Sequence, residues 1–76
     1  MKVWLDGKLV DKDDAKVSVF DHGVLYGDGV FEGIRIYHGK MFETRAHIVR
    51  LFESAAKIAL VIPYTPQELI DATYET

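Results

Sequence analysis

Residues 22–37 read HGVLYGDGVFEGIRIY, and the placing of glycine, apolar and charged positions within them implies a chain reversal followed by a strand. Gly27 and Gly29 flank Asp28, a pattern that supplies the backbone freedom for a turn just before Val30. From Val30 to Tyr37 the residues alternate. Val30, Glu32, Ile34 and Ile36 fall on one face, and Phe31, Gly33, Arg35 and Tyr37 on the other. The second face makes a poor core layer, because Gly33 gives up packing in mid-strand and Arg35 needs an anion or a hydrogen-bond partner wherever it is covered. Two readings follow from the pattern alone. One is a solvated sheet edge carrying a bulge; the other is a pocket floor, where the glycine lets a ligand approach and the arginine meets a carboxylate or phosphate.

Upstream, Val3-Trp4-Leu5 and Lys8-Leu9-Val10 bracket Asp6-Gly7, a hairpin signal because a type I′ turn needs positive φ twice. The charged run Asp11–Lys16 is a solvated connection too short to separate two cores. Val17–Phe20 reads as a third strand, with Ser18 between two β-branched residues. Val24-Leu25-Tyr26 then forms a single turn packed beneath the sheet. Downstream, His38-Gly39-Lys40 is a three-residue hairpin loop leading into a strand at Met41–Glu43.

At Thr44 the apolar period changes from 2 to 3.6. Ile48, Leu51, Phe52, Ala55, Ile58 and Ala59 form one stripe, predicting a helix near Arg45–Leu60 with Thr44 as N-cap. The opposite side carries His47, Arg50, Ser54 and Lys57. Thr65-Pro66-Gln67-Glu68 is a capping box with proline at the first helical position, which starts a second helix over Pro66–Thr76. The expectation is an α+β fold: an antiparallel β-sheet of hairpins followed by two helices. The second helix reaches Thr76 with Leu69, Ile70, Ala72 and Tyr74 still repeating and no glycine cap, so the chain is expected to be a fragment of a longer protein.

Seventy-six residues, 49% of them hydrophobic, suffice for one small domain, which at this size buries only about 60% of the surface its unfolded chain exposes. With no cysteine, disulfides and thiolate metal sites are unavailable, and a cytoplasmic location is the default. The 12 acids and 9 bases leave a net charge of −3 without blocks of one sign, a pattern unlike a nucleic-acid or membrane-surface footprint. No apolar run approaches the ~20 residues of a membrane span, so the chain reads as soluble.

Several chemistries can be weighed on spacing. Gly27-Asp28-Gly29 with Gly33 has one residue too many for a dinucleotide fingerprint and enters a strand, where the phosphate site needs a helix N-terminus. Asp21, His22, Asp28, Glu32 and His47 offer ligand atoms but no metal-ligand spacing, and His22 and His47 read better as structural hydrogen-bonding groups. Ser18 and Ser54 sit on no nucleophile elbow. Arg50, opposite Ile48, reads by periodicity as a solvated arginine.

The combined motifs YGDGVFEGIR, at 26–35, and HIVRL, at 47–51, resemble the fold-type IV (class IV) pyridoxal-phosphate aminotransferases, and the FEGIR form is most similar to the branched-chain amino-acid aminotransferases. The resemblance covers essentially the whole chain, and it is to the N-terminal small domain of such an enzyme. It implies that Arg50, in the HIVRL motif, binds the phosphate of pyridoxal 5′-phosphate, for which a planar and permanently charged guanidinium is suited. It further implies that Phe31 and Tyr26 line the substrate pocket, with Gly33 and Arg35 as further substrate contacts. The family's Schiff-base lysine lies in the large C-terminal domain, so no catalytic residue is expected among 1–76, and none of Lys2, Lys8, Lys12, Lys16, Lys40 or Lys57 stands in a matching motif. The implied reaction moves the amino group between branched-chain L-amino acids and 2-oxoglutarate, with the cofactor as electron sink, in a homodimer or higher homo-oligomer. The alternatives are a D-amino-acid aminotransferase or an aminodeoxychorismate lyase of the same family, and a non-catalytic dimerisation module.

Overall fold

A computed structural model describes all 76 residues. The chain opens with β1 (Lys2–Leu5) and β2 (Lys8–Asp11), an antiparallel hairpin in which Leu5 faces Lys8 and Val3 faces Val10. Asp6 and Gly7 close it with φ of 52° and 91°, the double positive φ that the Asp-Gly pair implies. A one-turn 3-10 segment at Lys12–Asp14 leads toward α1 (His22–Tyr26). β3 (Ile36–Tyr37) and β4 (Lys40–Met41) form a second antiparallel hairpin. Two longer helices follow, α2 (Thr44–Lys57) and α3 (Pro66–Glu75). The α+β order expected from the change of period therefore holds, with two separate hairpins in place of one continuous sheet.

Three strand expectations need correction. Val17–Phe20 is not a strand: the Ser18 hydroxyl accepts from the Phe20 N–H at 3.0 Å and its carbonyl from the Asp21 N–H at 3.0 Å, so the chain turns where a strand was expected. Of Val30–Tyr37 only Ile36–Tyr37 is in a ladder, because Asp28–Ile34 has no neighbouring strand and makes no backbone–backbone hydrogen bond. The strand expected at Met41–Glu43 lies at Lys40–Met41, and its hairpin loop has two residues, His38 and Gly39, both at positive φ.

Helix ends also show how local chemistry sets boundaries. α1 is capped by the Asp21 carboxylate, which accepts from the Gly23 N–H at 2.9 Å, and ends on Gly27 at φ 74°. Its Val24, Leu25 and Tyr26 are exposed and do not pack beneath a sheet. In α2, Glu43 in left-handed conformation is the N-cap and Thr44 the first helical residue, its hydroxyl buried without a partner. At the other end Ala59 takes φ 57°, with Leu60 N–H bonded to the Ala55 carbonyl and Ala59 N–H to that of Ala56. That is a Schellman ending three residues before the expected Leu60, made by alanine where glycine is usual. α3 starts with the full capping box: Thr65 Oγ1 accepts from Glu68 N–H at 3.1 Å and Glu68 Oε1 from Thr65 N–H at 2.8 Å.

The core is small and lies between α2 and α3, its buried apolar residues being Ile48 and Ala55 on the first and Ile70 and Ala72 on the second. The first hairpin joins it through Trp4, whose ring meets Tyr64 edge-to-face with centroids 5.2 Å apart. Between that hairpin, the 30–34 stretch and the two helices runs an open apolar groove of about 730 Å³, lined by Trp4, Val30, Ile34, Leu51 and Leu69 among others. This arrangement sets one side of residues 30–34 against α2 and turns the other outward.

Candidate functional site

Residues 30–34 lie extended against the helices, and their exposure alternates as the sequence implies. Val30, Glu32 and Ile34 are half-buried, while Phe31, Gly33 and Arg35 are exposed, Phe31 to 90%. Phe31, Gly33 and Arg35 therefore share the outward side of one stretch. Arg35 Nη1 donates to the Tyr37 hydroxyl at 3.0 Å, which gives the guanidinium a partner on that same side. Around Gly33 the space that a Cβ would enter is empty within 4 Å. Tyr26 stands on α1, exposed, with its ring against that of His22 at a centroid distance of 4.5 Å. His22 is in turn tied to Asp28 at 2.8 Å across the Gly27 reversal.

The inward side carries a carboxylate among apolar neighbours, and both of its side-chain partners stand on α2. Glu32 Oε2 accepts from Arg50 Nε at 2.9 Å, and Oε1 accepts from Arg50 Nη2 at 2.6 Å and from His47 Nδ1 at 2.6 Å. His47 and Arg50 are three positions apart on α2, so one helix face presents both donors to one carboxylate. The His47 contact requires the proton on Nδ1. With that nitrogen donating, the 3.3 Å approach of Arg50 Nη2 to it is proximity of two donors on a shared oxygen, not a hydrogen bond. Hydrogen bonds from Arg50 and then His47, reinforced by their charges, lower the Glu32 pKa from 4.5 to about 2. The same carboxylate raises that of Arg50.

The exposures differ within the cluster. Only 11% of the Glu32 side chain and 19% of the His47 side chain are accessible, against 63% for Arg50. Arg50 is thus anchored by its inner edge. Its outer nitrogen, Nη1, makes no hydrogen bond, and the side chain as a whole is largely exposed. A guanidinium so held has donors left for an external anion, and a phosphate or carboxylate has the geometry to take them.

Of the residues expected at a site, the structure groups Phe31, Gly33 and Arg35 on one side of a stretch whose neighbouring residue, Glu32, holds Arg50. Tyr26 is separate, its aromatic partner being His22. Sequence reasoning missed Glu32 and His47 as a unit with Arg50. The available signal was Glu32 itself, an acid alternating with Val30 and Ile34 on the face assigned inward, where a carboxylate needs a cationic partner.

No family model matches the chain, but individual proteins do. All 76 residues align at 59% identity with 26% of a candidate branched-chain-amino-acid aminotransferase of Methanocaldococcus jannaschii. Over 69 residues, 91% of the chain, it is 52% identical to 24% of the D-alanine aminotransferase of Listeria monocytogenes. Among solved structures, a branched-chain aminotransferase from the archaeon Thermoproteus uzoniensis with norvaline superposes on the whole chain with a TM-score of 0.91 and 51% identity over 27% of that protein. A branched-chain amino acid aminotransferase from the organism abbreviated T.th., complexed with N-(5′-phosphopyridoxyl)-L-glutamate, covers 93% of the chain with a TM-score of 0.88 and 37% identity, over 25% of its own length. The chain thus spans about a quarter of each protein it matches. Over that quarter the chain is similar, in sequence and in fold, to branched-chain aminotransferases, and in sequence to D-alanine aminotransferases as well.

Proposed function

We propose that this chain is the small-domain part of a pyridoxal-phosphate-dependent aminotransferase that moves the amino group between branched-chain L-amino acids and 2-oxoglutarate. The observation that carries the reading is the match over all 76 residues, in sequence and in fold, to branched-chain aminotransferases. A neighbour complexed with a phosphopyridoxyl adduct supports the cofactor. The donor set supports its placing: Arg50 is held at its inner edge by Glu32 and keeps Nη1 free for a phosphate oxygen. When bound, the cofactor supplies an electron sink at the carbon that loses or gains the amino group. The residues of this chain bind and orient. Arg50 holds the phosphate, Phe31 and Tyr26 offer apolar surface to the substrate side chain, Gly33 leaves room for it, and Arg35 is a candidate for a substrate carboxylate. The lysine that bonds to the cofactor, and the large domain that carries it, lie outside residues 1–76 in this reading.

Identity of 52% with a D-alanine aminotransferase makes a D-amino-acid substrate the second reading. Exposed Val19, Phe20, Tyr26 and Val61 leave apolar surface for a homodimer or higher homo-oligomer, and the proposed location is cytoplasmic. The role of this chain is tested in the full-length protein by titrating pyridoxal 5′-phosphate into Arg50→Ala. Cofactor affinity falls by roughly ten- to a hundredfold, the worth of a charge-assisted contact to phosphate. Turnover at saturating cofactor falls less. Unchanged affinity would return Arg50 to the status of a solvated arginine.

A further inference from the structure

We infer that Glu32, itself fixed by His47, is a positioning residue that sets the direction of the Arg50 guanidinium, so that its free Nη1 edge is presented to the cofactor phosphate. The inference rests on the reading of Arg50 as the phosphate anchor. Its geometry is the three hydrogen bonds that the carboxylate accepts from α2, at 2.6, 2.6 and 2.9 Å. Arginine is a long side chain with much rotamer freedom, and at 63% exposure little packing restrains this one. The two-pronged contact through Nε and Nη2 fixes the guanidinium plane, which leaves the opposite edge pointing in one direction. His47 holds the shared oxygen from the other side, and both groups stand on one rigid helix.

Electrostatics makes the inference discriminating. A carboxylate beside a phosphate anchor repels an anionic ligand and neutralises the arginine that attracts it. If charge were all that mattered, removing Glu32 would tighten phosphate binding. If orientation matters more, removing it weakens binding in spite of the relieved repulsion. A third role, tying residues 30–34 to α2 for the fold alone, would act equally on ligands with and without phosphate.

The test is a double-mutant cycle in the full-length protein, read as dissociation constants of pyridoxal 5′-phosphate and of pyridoxal. Glu32→Gln keeps the side-chain volume but can accept at only one of its two ends, and the expected result is pyridoxal 5′-phosphate weakened by about fivefold or more, with pyridoxal unchanged. In an Arg50→Ala background the same substitution changes neither ligand. Glu32→Asp retains the charge one methylene shorter and provides the second variant: positioning predicts a loss for it too, charge alone predicts parental affinity. Pyridoxal 5′-phosphate bound as tightly by Glu32→Gln as by the parent, or more tightly, overturns the inference. So does an equal loss for pyridoxal, or a loss that persists without Arg50. Should Arg50→Ala alone leave affinity unchanged, the anchor reading falls instead, and that outcome is separate because it does not depend on Glu32.

Discussion

Glu32 joins the outward-facing pocket candidates to α2, and its protonation state is the residue-scale property with the clearest solution consequence. Its pKa is depressed in the folded chain, from 4.5 to about 2, through Arg50 first and His47 second. A depressed carboxylate stabilises the fold above its ordinary pKa, and that contribution is lost as pH falls through the folded value. The attachment of residues 30–34 to α2 should therefore be complete above pH 4.5 and loosen as pH drops toward about 2. Methyl chemical shifts of Val30 and Ile34 followed against pH check this, and Glu32→Gln should lack the dependence in that window. On the other side of the stretch, Phe31 is 90% exposed in this chain and contributes nothing to its core, so truncating it reports on substrate. In the full-length protein, Phe31→Ala should lower kcat/KM for L-leucine by tens-fold, about 2 kcal/mol of lost burial, and affect a smaller amino acid much less. Equal losses for both would remove Phe31 from the pocket. At this scale the alternation of Phe31, Gly33 and Arg35 against Val30, Glu32 and Ile34 was legible, because period-2 exposure needs only an extended backbone. The Glu32–Arg50–His47 cluster was not, because it joins positions 15 and 18 residues apart whose pairing depends on how the stretch lies on the helix.

Among elements, one hairpin and one helix start whose partners lie within a few residues were read correctly, and strands that need a distant neighbour were not. The Asp6-Gly7 hairpin and the Thr65–Glu68 capping box carry their hydrogen-bonding partners within a few residues, and both form as the sequence implies. Removing the cap should be costly for that reason: Thr65→Ala leaves the Glu68 N–H without its acceptor and should destabilise α3 by about 1 kcal/mol, measurable by thermal or denaturant unfolding. A change within a few tenths of a kcal/mol of zero would mean that the Glu68 half of the box suffices. Val17–Phe20 and Val30–Arg35 fail as strands for the opposite reason. A strand is defined by the ladder it shares, these segments have the β-branched and alternating pattern, and no strand of this chain lies beside them. Ser18 shows the local alternative at work, since its hydroxyl bonds the backbone two residues on and turns the chain.

At the scale of the molecule, the order of hairpins and then helices was legible from the single change of apolar period at Thr44, and the resemblance extended it to a family. The interior was not: only Ile48, Ala55, Ile70, Ala72 and Thr44 are buried, so much of the apolar surface counted in the composition faces outward or lines the groove against which no element of this chain packs. That distribution accords with a chain that spans about a quarter of each protein it matches. The central claim, a branched-chain L-amino-acid aminotransferase of which these residues hold the cofactor phosphate and part of the pocket, is tested most directly by amino transfer to 2-oxoglutarate in the full-length protein. L-Leucine, L-isoleucine and L-valine are predicted to be used as donors with higher kcat/KM than D-alanine. Preference for D-alanine over L-leucine would contradict the claim and move the protein to the D-amino-acid branch of the family.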